Sequence, residues 1–505
     1  MPNPLFINNL RNSTTSQAGG NHFIPPVSPN AAGLQNFQYE KRNLLSESAS
    51  INQEKKKMTE SSTNPLLTSK VRSNNIPQFY FPNNDNITET IEQENILIAQ
   101  IFKKDSLNLD EFKKITEELY HFPDIYNRVL FQKIDKDNKG VIKKNDFLSY
   151  HNKYFKGISN ERRYFNLIKS ENNNVIVPKD FKPFLDCLLD FNKSLEFLKE
   201  YPAYQVKYSD TAIFRIFYKN DLKDNGTITL REFKKSNIIE TLITVSKEDI
   251  NSVRDYFSYE HFYVLYCIFY ELDPEREPES QSFISREAFS KYKGHALGEK
   301  VVDRIFKQIP RKFRSTNPDK MSFEDFSFYL LSEEDKTNPT SIKYWFTILD
   351  LDSNGIVTPS EMAYFYEEQE RRLESLQNEI ILFNDVLCQI HDMIPPDKEY
   401  QWTLQNFLDH PKSASIAFNA LFNLKKFQEY ETFDPYNVTE IDKNPEYTDW
   451  EKFAYYEYKI KSSQDEEGNE DEISNGGDED LSAEGEVINV SMFNVWLYII
   501  ILISF

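Results

Sequence analysis

Glycine is scarce in this chain, with 13 in 505 residues. That disfavours a fold built on many tight hairpins and Gly-rich loops. Cysteine is scarcer: Cys187, Cys267 and Cys388 are odd in number and far apart. No disulfide framework or CxxC metal cluster can be built from them, which points to a reducing, cytosolic compartment. The 13 glycines form no GxGxxG or GxxxxGK loop, and the seven histidines form no HExxH or Cys/His metal spacing. Dinucleotide, P-loop and zinc-hydrolase chemistry therefore lack their residues. Positive charge is also short, 59 basic against 80 acidic residues for a net charge of -21. Phosphate surfaces need a positive field, so no nucleic-acid partner is expected.

What is present can fold. Hydrophobic residues make up 39 % and aromatics 14 %, including 40 Phe and 29 Tyr, which excludes a wholly disordered acidic chain. The acidity is concentrated. Residues 465–486 hold 11 acidic side chains and no basic one, and 461–486 reads as an acidic disordered tail. Residues 1–70, rich in Asn and Ser with Pro25-Pro26 and Gly19-Gly20, bury too little to offset their ordering entropy and read as disordered. Their start has no apolar core after basic residues, so no secretory signal is expected. Ile76-Pro77-Gln78-Phe79-Tyr80-Phe81-Pro82 is boxed by prolines and reads as an extended strap. Val487–Phe505 has 19 residues without a charge. It is just long enough for a membrane tail anchor, but its acidic flank and polar residues argue for a buried or aggregation-prone tail instead.

Between these ends one pattern recurs: an apolar residue, a helix cap, two variable positions, a polar or acidic residue and a second apolar one. Its leading residues are Leu107, Ile142, Ile176, Ile228, Ile284, Met321, Val357 and Trp402, spaced by 35, 34, 52, 56, 37, 36 and 45 residues. Such self-similarity marks a repeated supersecondary unit, and Ser/Thr three residues before an acid opens a helix. The helix–loop–helix EF-hand fits, with the pattern at loop positions 8, 9, 12 and 13. Eight copies make four paired hands. The expected fold is all-α, an elongated array of paired EF-hand units, with degenerate hands over 71–265 and the intact one in 266–460.

One loop carries the chemistry. Residues 350–361 match D-x-[DN]-x-[DN]-G-x5-E in full. Calcium takes six to eight oxygens. Asp350, Asp352 and Asn354 offer side-chain oxygens, Ile356 its carbonyl, Thr358 a direct or water-borne oxygen, and Glu361 a bidentate carboxylate, while Gly355 makes the turn. Ile342, Trp345, Phe346 and Leu349 form the entering apolar stripe, and Met362, Phe365, Tyr366, Leu373 and Leu376 the exiting one. Asp135, Asp137 and Asp146 offer only a weak candidate site, since Lys139 stands in an oxygen position and Asp146 is short for bidentate closure. Lys223 weakens the loop 221–232, and Lys169 disables the loop ending at Asp180. His261 and His295 read as core or surface residues, and Glu333-Glu334-Asp335 as a solvated turn.

Four strings resemble the B-double-prime regulatory subunits of protein phosphatase 2A: Ile76–Pro82, Tyr256–Tyr263, Ser332–Ile342 and Tyr364–Gln369. The likeness covers about 76–460 and includes Asp434-Pro435-Tyr436 and Asp449-Trp450-Glu451-Lys452. It implies a non-catalytic protein that docks on a HEAT-repeat scaffold, next to the catalytic subunit, and selects phosphoprotein substrates. It also implies two calcium loops, at Asp273–Ala288 and Asp350–Glu361. The first departs from the family with extra residues and Ala288 at its closing position. The expected address is cytoplasmic, with nucleus and centrosome left open. The competing readings are an enzyme, for which no catalytic constellation exists, and a stand-alone EF-hand calcium sensor, which would need several competent loops.

Overall fold

The computed structural model describes residues 84–272, 283–376, 380–432 and 439–473. The segment 1–70, the strap 76–82, most of the insertion after Asp273, Asp434–Tyr436 and the apolar stretch 487–505 lie outside the described residues.

The helices fall into four pairs of hands. In the first, α1 (Asn84–Ile101) and α2 (Leu109–Lys114) flank one loop, and α3 (Asn127–Ile134) and α4 (Lys144–Tyr154) the other. The second runs α5 (Asn160–Ile168) to α6 (Lys182–Phe191), then α7 (Pro202–Asn220) to α8 (Leu230–Lys235), followed by α9 (Ile238–Val245). The third runs α10 (Tyr259–Glu271) to α11 (Arg286–Ser290), then α12 (Glu299–Phe306) to α13 (Phe323–Glu334). The fourth runs α14 (Pro339–Leu349) to α15 (Pro359–Ser375), then α16 (Phe383–Met393) to α17 (Leu404–Asp409). Four helices close the described chain: α18 (Pro411–Phe422), α19 (Leu424–Glu431), α20 (Glu440–Lys443) and α21 (Asp449–Ile473).

The eight leading apolar residues are what pair the hands. Strand β1 (Ser106–Asn108) lies antiparallel to β2 (Val141–Lys143) with Leu107 facing Ile142. Strand β3 (Ile356–Val357) faces β4 (Trp402–Thr403) with Val357 opposite Trp402. Ile176 exchanges two backbone hydrogen bonds of 2.9 Å with Ile228, and Ile284 does the same with Met321. All eight are buried, none beyond 4 % exposed. The aromatic or Met after each terminal position is buried as well: Phe112, Phe147, Phe181, Phe233, Phe289, Phe326, Met362 and Phe407. Truncating one such ring to Ala costs about 3–5 kcal/mol. Each exiting helix therefore starts against a fixed apolar anchor.

The loop's last residue also starts the helix. Glu111, Asp180, Glu232, Asp325, Glu361 and Asn406 each accept the backbone N–H of the residue three positions earlier, at 2.8–3.2 Å. That contact satisfies one of the orphan donors of a helix start whether or not the loop can hold an ion.

The regions 71–265 and 266–460 do not part at their expected boundary, since one compact unit continues to Tyr458. Helix α10 crosses the boundary with Tyr259, Phe262, Tyr263, Val264, Leu265 and Phe269 all buried. A helix apolar on every side belongs at the centre of a core, not at a linker. The second unit is Lys459–Phe505, and its described part is the distal stretch of α21. Residues 461–473 are thus helical where a disordered tail was expected. Their Glu and Gln are good helix formers, and the lone Gly468 costs only about 1 kcal/mol. No helix among the described residues is long and apolar enough to cross a membrane.

Candidate metal centre

Helix α14 begins at the cap Asn338, whose side chain accepts from Ser341 N, with Pro339 at its first position. It buries Ile342, Trp345, Phe346 and Leu349. That stripe fixes its rotation and delivers Asp350 at its C-terminal end. On the exiting side Met362, Phe365, Tyr366 and Leu373 are buried, but Leu376 is exposed. It caps α15 at the C-terminus, beyond the last turn that packs.

The loop between them bends through two left-handed residues, Ser353 (φ 59°) and Gly355 (φ 82°). Glycine adopts that conformation without the Cβ penalty. The bend wraps backbone donors around the first ligand: Asp350 accepts from Asn354 N at 3.2 Å and from Gly355 N at 2.9 Å. Asp352 accepts from Asn354 N at 3.1 Å and Nδ2 at 2.7 Å. Glu361 accepts from Leu351 N at 2.8 Å, and from Thr358 N at 2.8 Å and Oγ1 at 2.9 Å. Asn354 Oδ1 accepts from Ile356 N at 2.7 Å. The Thr358 hydroxyl is thus engaged as a helix cap, while Ile356 opens β3 opposite Thr403.

Carboxylate oxygens of Asp350, Asp352 and Glu361 lie within 4.8 Å of one another. Asp350 and Glu361 are buried, and Asp352 faces solvent. Burial pushes the Asp350 carboxyl up, and the charge of Glu361 adds to the shift despite the two loop N–H donors. Like charges this close repel, by about 1 kcal/mol in water and about 4 kcal/mol at an effective dielectric of 20. A divalent cation removes that repulsion. The donors are all hard oxygens, without nitrogen or sulfur, so the residues fit calcium and not zinc or copper.

The weaker loops share the backbone but not the donors. Asn138 and Gly140, and Asp224 and Gly226, repeat the left-handed pair, and Asp135 and Asp221 each accept a Gly N–H at 2.7 Å. Asp135, Asp137 and Asp146 are not brought together as the three acids of 350–361 are. Lys139 instead places its ammonium 2.5 Å from Asp137, and Asp146 is exposed. Cations sit in other loops too. Lys104 is 2.6 Å from Glu111, and Arg311 is 2.9 Å from Asp325. At the family-implied first loop, Ser285 caps Ala288 N at 3.2 Å, and Ala288 brings no carboxylate to the closing position.

The string Glu333-Glu334-Asp335 is not a solvated turn. All three are buried together with Lys336. Glu333 pairs with Lys336 at 2.6 Å and accepts from Asn423 at 2.8 Å, and Glu334 accepts from Tyr292 at 2.6 Å and Lys293 at 2.9 Å and pairs with Lys426 at 3.0 Å. Burial lowers Lys336 to about 7, against the opposing pull of Glu333. His261 is a core residue, as expected. Arg215 Nη2 and Trp450 Nε1 both donate to its Nδ1, at 2.7 and 3.1 Å, so the ring is neutral with its proton on Nε2. Burial and Arg215 hold its pKa well below the usual range.

One residue at this site carried no motif. Arg304 on α12 donates through Nη2 to Thr347 O at 3.1 Å and Asp350 O at 2.8 Å, reaching the backbone of the first ligand from another hand.

An EF-hand domain family model matches residues 159–248, which hold the loops ending at Asp180 and Glu232. The chain is 41 % identical over 413 residues to a protein of Arabidopsis thaliana named as a probable B''delta regulatory subunit of serine/threonine protein phosphatase 2A. That match covers 80 % of this chain and 75 % of the relative. It is 33 % identical over 406 residues, 78 % of this chain and 69 % of the relative, to the human beta form of the B'' regulatory subunit of the same phosphatase. A solved chain titled as a PP2A PR70 holoenzyme is 38 % identical, covers 54 % of this chain and 98 % of its own, and superposes with a TM-score of 0.49.

Proposed function

The chain belongs to the B'' regulatory subunits of serine/threonine protein phosphatase 2A, and from that premise we propose that it docks on the scaffold and catalytic subunits, selects phosphoprotein substrates and responds to calcium at 350–361. Its family role is regulatory and non-catalytic. The observation that carries the reading is the 41 % identity reaching across 75 % of a B'' relative.

The calcium part of the proposal is supported by the local geometry. Asp350 and Glu361 sit at adjoining ends of α14 and α15, so the distance between their carboxylates is tied to the angle between those helices. Bound calcium would supply the double positive charge that offsets Asp350, Asp352 and Glu361. The chain's own residues do the rest. Val357 and Trp402 tie the loop to its neighbour, and the Thr358–Glu361 cap fixes where α15 starts. A change in that angle would alter the surface offered to a partner. A stand-alone buffer would need several competent loops, and Lys104, Lys139 and Arg311 occupy three of the others. The same proposal expects a reducing compartment, the cytoplasm with nucleus and centrosome left open, in keeping with the free thiols of Cys187, Cys267 and Cys388.

The test is affinity capture with the full chain as bait. Recovery of the phosphatase scaffold and catalytic subunits is expected, with no phosphatase activity in the bait alone. Failure to recover either subunit would refute the docking.

A further inference from the structure

Helix α12 touches the calcium hand at both ends. At its C-terminal end Arg304 holds the carbonyls of Thr347 and Asp350, where α14 stops and the loop begins. At its N-terminal end it has no side-chain cap of its own, because the cap position is Gly298. Glu368 of α15 supplies the missing acceptor, taking the N–H of Glu299 at 2.6 Å and of Lys300 at 3.2 Å. A carboxylate at a helix N-terminus satisfies orphan donors and suits the dipole. Glycine at 298 is what lets it approach. A Cβ there would stand 2.7 Å from Glu368 Oε2 and 3.0 Å from its Cδ.

Further contacts reinforce the same end. Lys300 Nζ donates to Tyr364 O at 2.5 Å and to Glu367 at 2.8 Å. Arg372 donates to the carbonyls of His295, Ala296 and Leu297 at 2.8–3.2 Å. Between the two ends Val301, Val302 and Ile305 are buried. The helix is therefore gripped by α15 at its start and itself grips α14 at its finish.

We infer that α12 is a strut that sets the angle between α14 and α15 and so holds Asp350 and Glu361 at ligand spacing, with Arg304, Gly298 and Glu368 as its positioning residues. This rests on the reading of 350–361 as a calcium loop. Preorganised ligands lose less freedom on binding, so releasing either end of the strut weakens binding. The charge of Arg304 makes the inference separable from simple electrostatics. Removing a cation beside a cation site strengthens binding through charge alone, whereas releasing the strut weakens it. Gly298→Ala displaces Glu368 without changing any charge.

The experiment is calcium titration calorimetry on the full chain and on the Gly298→Ala, Glu368→Gln and Arg304→Met variants. A loss of affinity of at least about fivefold is expected in each, the lower end of ordinary site-to-site coupling. Unchanged affinity in Gly298→Ala and Glu368→Gln, or tighter binding in Arg304→Met, overturns the strut. Should Arg304→Met fail to fold, the other two variants decide. Hydrogen exchange without metal provides an independent arm. Glu368→Gln is expected to speed exchange of the Asn354 and Gly355 amides, which donate to Asp350, and unchanged rates there overturn the inference. Absence of calcium binding in the parent chain would refute the calcium reading, and the exchange arm would still decide on the strut.

Discussion

The Glu361 carboxylate accepts the Leu351 backbone N–H at 2.8 Å, drawing the last residue of the loop onto the second. Its other oxygen caps α15 through Thr358 N. Glu361→Gln keeps an acceptor for the cap, since Gln also serves a capping box, but removes a charged ligand. Calcium affinity is expected to fall at least about tenfold, more than 1.4 kcal/mol, while the melting temperature without calcium barely moves. Isothermal titration and thermal unfolding check the two halves.

The loop 135–146 has the right backbone and the wrong side chains. Replacing Lys139 by Asn and Asp146 by Glu restores an oxygen at the fifth position, lengthens the carboxylate at the twelfth and removes the ammonium that pairs with Asp137. One additional calcium per chain is the expected outcome, read from the stoichiometry of a titration. An unchanged count would show that backbone geometry and donors are not sufficient there.

Glu333 and Lys336 form an ion pair with both side chains buried. Removing Glu333 strips the buried Lys336 of its counter-charge, which costs about 3–5 kcal/mol. Glu333→Gln is expected to lower the urea midpoint accordingly. Pairing it with Lys336→Met should recover a large share of the loss, because no charge then remains stranded. Equal loss in the single and double variants would contradict this.

Burial lowers the pKa of His151 from 6.5 to about 4, with Arg163 adding to the effect. Tyr120 OH lies 2.8 Å from its Nδ1, and Glu94 3.7 Å from its Nε2. The unfolded chain therefore takes up a proton at a higher pH than the folded one. Stability is fully present above about pH 6.5 and is lost as pH falls toward about 4, by up to about 3 kcal/mol. His151→Gln should flatten that part of the stability profile, as measured by urea unfolding at several pH values.

Repetition made the fold readable in the sequence. Leu107, Ile142, Ile176, Ile228, Ile284, Met321, Val357 and Trp402 stand at one loop position, and the structure pairs them in consecutive couples. The ligands of 350–361 were readable because all of them lie within twelve consecutive residues. Two features were not. Glu333 and Glu334 look like a surface string because two of their three cations, Lys293 and Lys426, are about 40 and 90 positions away. The strut left no pattern because Arg304 and Glu368 bind backbone groups, which any residue carries. Non-local partners and backbone acceptors have no letter in a sequence.

In the proposed function, calcium at 350–361 governs docking on the phosphatase. The most direct measurement is the affinity of the full chain for the phosphatase scaffold, taken with calcium and with chelator, in the parent and in Glu361→Gln. Calcium-dependent affinity is expected in the parent and its loss in the variant. Equal affinity under both conditions in the parent would contradict it.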